Sequence, residues 1–77
     1  MANGDYIPKV VRYETRGGKY SIMMFPEDDT WSVKEYTYGV QTSASVGHPD
    51  RESAEKKLQS VIQTYAEIDG IHFHRKD

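Results

Sequence analysis

Apolar and polar residues alternate from Val10 onward, with Val11, Tyr13 and Thr15 on one side and Val10, Arg12 and Glu14 on the other. That period of two belongs to a β-strand, whose successive side chains point to opposite faces. Gly17-Gly18 follows. Two glycines tolerate the positive φ values of a tight hairpin, so Arg16 and Lys19 are expected to close a two-residue turn. The turn fixes a register in which Tyr13 opposes Ile22 and Val11 opposes Met24 on one face, while Arg12 opposes Met23 and Val10 opposes Phe25 on the other. The second strand, residues 19–25, is apolar on both faces through Tyr20-Ser21-Ile22-Met23-Met24-Phe25, which suits a central position. Pro26 and the acidic run Glu27-Asp28-Asp29 then reverse the chain.

Residues 31–46 are rich in strand formers, but their phase slips. Trp31 and Val33 occupy odd positions, whereas Tyr36, Tyr38, Val40, Thr42, Ala44 and Val46 occupy even ones. An extra residue near Lys34-Glu35 is therefore expected to form a bulge. The stretch is long for one strand, and Gly39 marks either a bend within it or a break between two shorter strands.

The period changes after Gly47. Pro49 suits a first helical position, and Asp50 and Glu52 would offset the positive end of the helix dipole. Ala54, Leu58, Val61, Ile62, Tyr65 and Ile68 recur at three- and four-residue spacing, giving one apolar stripe on a helix over residues 49–68. Asp69-Gly70 ends it, with Gly70 as the left-handed cap. Ile71-His72-Phe73-His74 alternates again and predicts a short closing strand with Ile71 and Phe73 packed inward. Residues 1–7 read as a loose arm and residues 75–77 as a frayed end. The expected fold is a single α+β domain: a three- to four-stranded antiparallel sheet with one amphipathic helix on one face, in the order ββ(β)βαβ.

Composition narrows the function. A chain of 77 residues supports one small core, and such cores supply only about 3–5 kcal/mol net. The absence of cysteine excludes disulfides, thiolate metal sites and a cysteine nucleophile, and fits a reducing compartment. No apolar run is long enough to span a bilayer, and the first residues lack the charged and apolar regions of a signal peptide, so a cytoplasmic location is expected. A net charge of −2 with both signs interspersed gives no global field toward nucleic acid or an anionic membrane.

Candidate chemistry is sparse. His72 and His74 would share a strand face about 7 Å apart and are weak candidate metal ligands. No cysteine or suitably spaced carboxylate joins them, so solvated or stacking histidines describe them better. The serines lie outside any nucleophile elbow, and no cofactor motif or small-molecule site is legible, so an enzyme is not expected. Gly17-Gly18 is too short for a phosphate loop.

The informative feature is a surplus of apolar side chains. One helix covers one face of a sheet, leaving Val10, Met23 and Phe25 uncovered, together with Trp31 and Val33, beside Arg12 and Lys34. Either the long third strand curls over these side chains, or they lie singly exposed, as apolar residues commonly do, or they form a contiguous patch. Such a patch marks an interface, whose cores are enriched in aromatic, Met and Arg residues. The expected role is a non-catalytic protein-binding module that regulates, inhibits or links a larger complex, self-association included. The alternative is a nucleic-acid-binding module in which Tyr36 stacks on bases while Arg12, Arg16, Lys19 and Lys34 meet phosphates; the acidic net charge counts against it.

Strand, strand, strand, helix, with residues 47–54 opening the helix, loosely resembles the latter part of double-stranded-RNA-binding domains and the arm-type DNA-binding domains of integrases. The resemblance covers topology and one helix start, and implies basic residues reaching phosphates. Here the helix opens with Asp50-Arg51-Glu52 instead, and Lys56-Lys57 come a turn later. In size and composition the chain also looks like phage-encoded inhibitors of host or defence machinery.

Overall fold

A computed structural model describes residues 9–76. The arm expected over residues 1–7 lies outside the described residues, as does Asp77. Five strands form one antiparallel sheet, β1 (Val11–Thr15), β2 (Tyr20–Glu27), β3 (Thr30–Thr37), β4 (Val40–His48) and β5 (Phe73–Lys76), in the spatial order β4-β3-β2-β1-β5. One helix, α1 (Arg51–Thr64), extends through a π-helical turn (Tyr65–Asp69) and packs on one face. The class is α+β.

The first hairpin keeps the expected register: Val11 opposes Met24, Arg12 opposes Met23 and Tyr13 opposes Ile22. Its loop is wider than the expected two residues. Gly18 N–H donates to the Thr15 carbonyl at 2.9 Å, and Tyr20 N–H donates to the Thr15 hydroxyl at 3.1 Å, so the Thr15 side chain closes a loop over residues 16–19. One residue added on each side leaves the register untouched. Val10 precedes the paired residues of β1.

Residues 31–46 resolve into two strands joined at Tyr38-Gly39, with φ of 50° and 78°. Positive φ at both central residues is the type I′ geometry that matches strand twist. The slip in apolar phase is real but lies on β4: the ladder to β3 shifts by one between Glu35/Tyr36 and again between Trp31/Val33, so β4 carries two bulges.

The helix begins at Arg51 rather than at Pro49, and Asp50 is its N-cap. The Asp50 Oδ1 accepts the Ser53 N–H at 2.8 Å, which satisfies an orphan donor and holds its carboxyl below the usual range. Ala54, Leu58 and Val61 then bury against Val11, Ile22, Met24 and Val33 to form the core. Ile68 departs from the expected stripe and is 76% exposed. The wider π turn rotates each residue less than an α turn does, so Tyr65 still faces the sheet while Ile68 has turned out of phase. Gly70 caps the end at φ 66°, as expected. The closing strand is displaced by two residues from the expected 71–74: Ile71 and His72 precede it, Phe73 packs on the core, and residues 75 and 76, expected to fray, pair with β1 as Tyr13–Arg75 and Arg12–Lys76.

Candidate protein-binding face

Strand pairing sorts the side chains of the sheet into two sets. The helix side holds Val11, Tyr13, Ile22, Met24, Val33 and Glu35, since each lies opposite another member in the ladders. The open side holds Arg12, Glu14, Ser21, Met23, Phe25, Ser32, Lys34 and Tyr36, joined at the edges by His74 and Lys76. Two residues expected on the open side are on the other. Val33 opposes Met24 and is buried in the core, and Trp31 packs against that core with the Arg51 guanidinium 5.6 Å from its ring centroid. The odd-numbered positions of β3 face the helix because the turn at Asp28-Asp29, with φ of 51° and 65°, sets Glu27 against Thr30. That pairing was not readable before the turn type was known.

The remaining members do assemble. Met23 and Phe25 are half-buried neighbours on the open side of β2, and Lys34 of β3 lies across them with its Nζ 5.3 Å from the Phe25 centroid. The same ammonium stands 3.6 Å from the Glu27 carboxylate. Glu27 also accepts the hydroxyl proton of fully buried Ser32 at 2.7 Å, and this bond, followed by the Lys34 charge, holds its carboxyl below the usual range. Ser32 was not among the expected site residues. Arg12 is exposed beside Met23. Arg12, Glu14, Ser21, Met23, Tyr36 and Gly39 line a shallow groove on this side. Glu14 meets Lys76 at 3.4 Å, an exposed pair worth little. Val10, expected on this face, precedes the paired residues of β1 and is 48% exposed.

Arg16 and Lys19 sit apart from this set in the β1–β2 loop. Lys19 Nζ is 5.0 Å from the Tyr20 centroid and 5.8 Å from that of Tyr38, and the Tyr38 N–H donates to the Lys19 carbonyl at 2.7 Å, so the two loops stand side by side. His72 precedes β5 and His74 lies in it, both exposed; among the described residues no group of three metal-ligating side chains occurs.

A feature absent from the sequence reading is the edge. β4 borders the sheet, and most of its residues are exposed, including Val40 at 67% and Val46 at 61%, with Tyr38 at 73% in the turn before it. Near its end Ser45 Oγ and His48 Nε2 lie 2.8 Å apart. The bulge between Trp31/Val33 brings these two residues to the same side, since Ser45 opposes Val33 and His48 opposes Trp31. No carboxylate orients the imidazole among the hydrogen bonds of the described residues, so the pair fastens the bulge and lacks the third member of a nucleophilic triad. At the helix start, Asp50 is committed to its capping bond and Arg51 to Trp31 and Glu55, the latter at 3.3 Å. The phosphate-reaching helix start implied by the resemblance to RNA- and integrase-type domains has no counterpart there.

No helix of the described residues is long and apolar enough to cross a membrane. Comparison with protein-family models, with curated proteins and with solved structures returns no match, so the open face must be interpreted from its own chemistry.

Proposed function

We propose that this domain is a non-catalytic protein-binding module that regulates, inhibits or links a larger complex through its open sheet face. The observation that carries this reading is the distribution of side chains about the sheet. The helix and its core occupy one face, while Met23, Phe25 and Tyr36 remain on the other, beside exposed Arg12. A Met and two aromatics next to an Arg match the composition of interface cores, and a groove between Arg12 and Tyr36 gives the partner a point of entry. Salt links from Lys34 and Lys76 to Glu27 and Glu14 form a polar rim. Met23→Ser with Phe25→Ser, used as bait beside the unaltered chain in affinity capture from the native host, should lose the partner while keeping its circular-dichroism spectrum. A retained partner with an intact fold contradicts the proposal.

One observation favours a second reading. The register brings Arg12, Lys34 and Tyr36 of the nucleic-acid alternative onto the same face. Two of the three cations on that face, Lys34 and Lys76, already have carboxylate partners, so the phosphate footprint would be small. Titration with labelled single- and double-stranded oligonucleotides over a range of salt discriminates the two: nucleic-acid recognition requires affinity that falls steeply as salt rises.

A further inference from the structure

The two edges of the sheet are built differently. β5 is short, and its exposed residues His74, Arg75 and Lys76 put basic side chains along it, the usual means of keeping an edge from pairing with another copy. β4 is nine residues long and carries neither Lys, Arg, Asp, Glu nor Pro. Of the large hydrophobic residues that are exposed, Val40 and Val46 lie on it and Tyr38 leads into it. An exposed strand without gatekeeping charges presents unpaired N–H and C=O groups ready to extend a ladder.

We propose that β4 pairs antiparallel with β4 of a second copy about a two-fold axis through Ala44, joining two sheets into one. Ala44 is the midpoint of the strand Val40–His48. It is also the centre of the stretch between the two bulges, where Ser43, Ala44 and Ser45 oppose Glu35, Lys34 and Val33 without a shift. Opposed residues must point to the same side of a sheet. Ala44 against its own copy and Ser43 against Ser45 meet that requirement, because Ser43 and Ser45 share the helix side and Ala44 the open side. Small side chains meet at the centre without a clash, Thr42 falls opposite Val46 as a β-branched pair, and Val40 opposite His48 covers an exposed valine at each end.

A second copy fits this edge because the strand carries no Lys, Arg, Asp or Glu: it meets itself without repulsion between such side chains, and none of them selects a foreign strand. The pairing also closes. An isologous contact consumes β4 of both copies, and the basic β5 edges repel one another, so the assembly stops at a dimer rather than growing into a filament. The bulges bend β4 outside its centre and limit the area gained, which makes the dimer reversible with concentration. This surface is separate from the open face, so partner binding through that face neither requires nor excludes it.

Sedimentation velocity over a concentration series tests the proposal. The unaltered chain should pass from 8.9 kDa to twice that mass as concentration rises. Ala44→Lys and Ala44→Glu, at an exposed position, should each remain monomeric, and an equimolar mixture of the two should regain the doubled mass, because the axis places residue 44 against itself. Amide hydrogen exchange on the unaltered chain supplies a measurement free of substitutions: protection should rise with concentration at residues 40–48. A chain that stays monomeric up to about 1 mM, a dissociation constant equivalent to roughly 4 kcal/mol, overturns the proposal. So does a dimer indifferent to both variants, or a mixture that stays monomeric.

Discussion

Tyr65 links the helix end to three strands. Its hydroxyl donates to Glu35 Oε1 at 3.0 Å, and its ring meets Phe73 edge-on at 5.1 Å and Tyr20 at 5.8 Å. Burial first, then the Glu35 carboxylate, pushes its phenol up to about 12. A folded-state value above the unfolded one means that its contribution is complete below about pH 10 and is lost as pH rises toward 12. Ionisation of Tyr65 in an ultraviolet titration should be delayed above the ordinary phenol value of about 10 and should coincide with the onset of alkaline unfolding. Tyr65→Phe should lower stability by about 0.5–1.5 kcal/mol in urea unfolding and remove that coincidence. Glu27 has the opposite sign. Its carboxyl is lowered by Ser32 and then Lys34, so its contribution is present above the unfolded-state pKa and disappears as pH falls through the lowered value. Glu27→Gln should therefore lower stability at neutral pH, leave it nearly unchanged in acid below the lowered value, and so flatten the acid limb of stability against pH. At this scale the sequence was informative where a period was unbroken. Val11, Ile22, Met24, Ala54, Leu58 and Val61 are core residues as their spacing implied. Trp31 and Val33 were misplaced because the side on which a strand begins depends on the turn before it, and two aspartates in left-handed conformation are not a strong turn signal.

Among the elements, α1 and the β1–β2 hairpin were legible because each has a clean pattern and a recognisable end. The β3–β4 hairpin was only half legible. Tyr36, Tyr38 and Val40 keep an even-numbered alternation straight through the turn, so the break at Tyr38-Gly39 leaves no gap in the pattern. A tyrosine at φ 50° occupies a conformation that asparagine or glycine adopts at less cost. Tyr38→Asn should then raise stability by roughly 0.5 kcal/mol, less whatever the exposed Lys19 contact contributes, as measured by thermal or urea unfolding. A loss of stability would mean that the tyrosine ring holds the two loops together. In the helix, Leu58→Ala removes a side chain that is 2% exposed and should cost about 2–5 kcal/mol, enough to unfold much of a domain this small. Phe25→Ser on the open face should cost far less.

For the molecule as a whole, the decisive relation is between one helix and a sheet of five strands. The helix meets β2, β3 and β4 on one side, and its outer surface of Glu52, Glu55, Lys56, Gln59 and Gln63 is polar and exposed. The opposite side of the sheet presents Met23, Phe25, Tyr36 and Arg12, and its β4 border carries no Lys, Arg, Asp or Glu. The sequence pointed to the uncovered face through its surplus of apolar strand positions. It could not point to the edge, because strand order is a long-range property that no local pattern contains. Amide chemical-shift mapping with the captured partner is the most direct measurement of where recognition occurs. Shifts should concentrate at Arg12, Met23, Phe25, Lys34 and Tyr36 and leave the outer helix residues unmoved. Shifts concentrated on Glu52, Glu55, Lys56, Gln59 and Gln63, with the open face silent, would contradict the account.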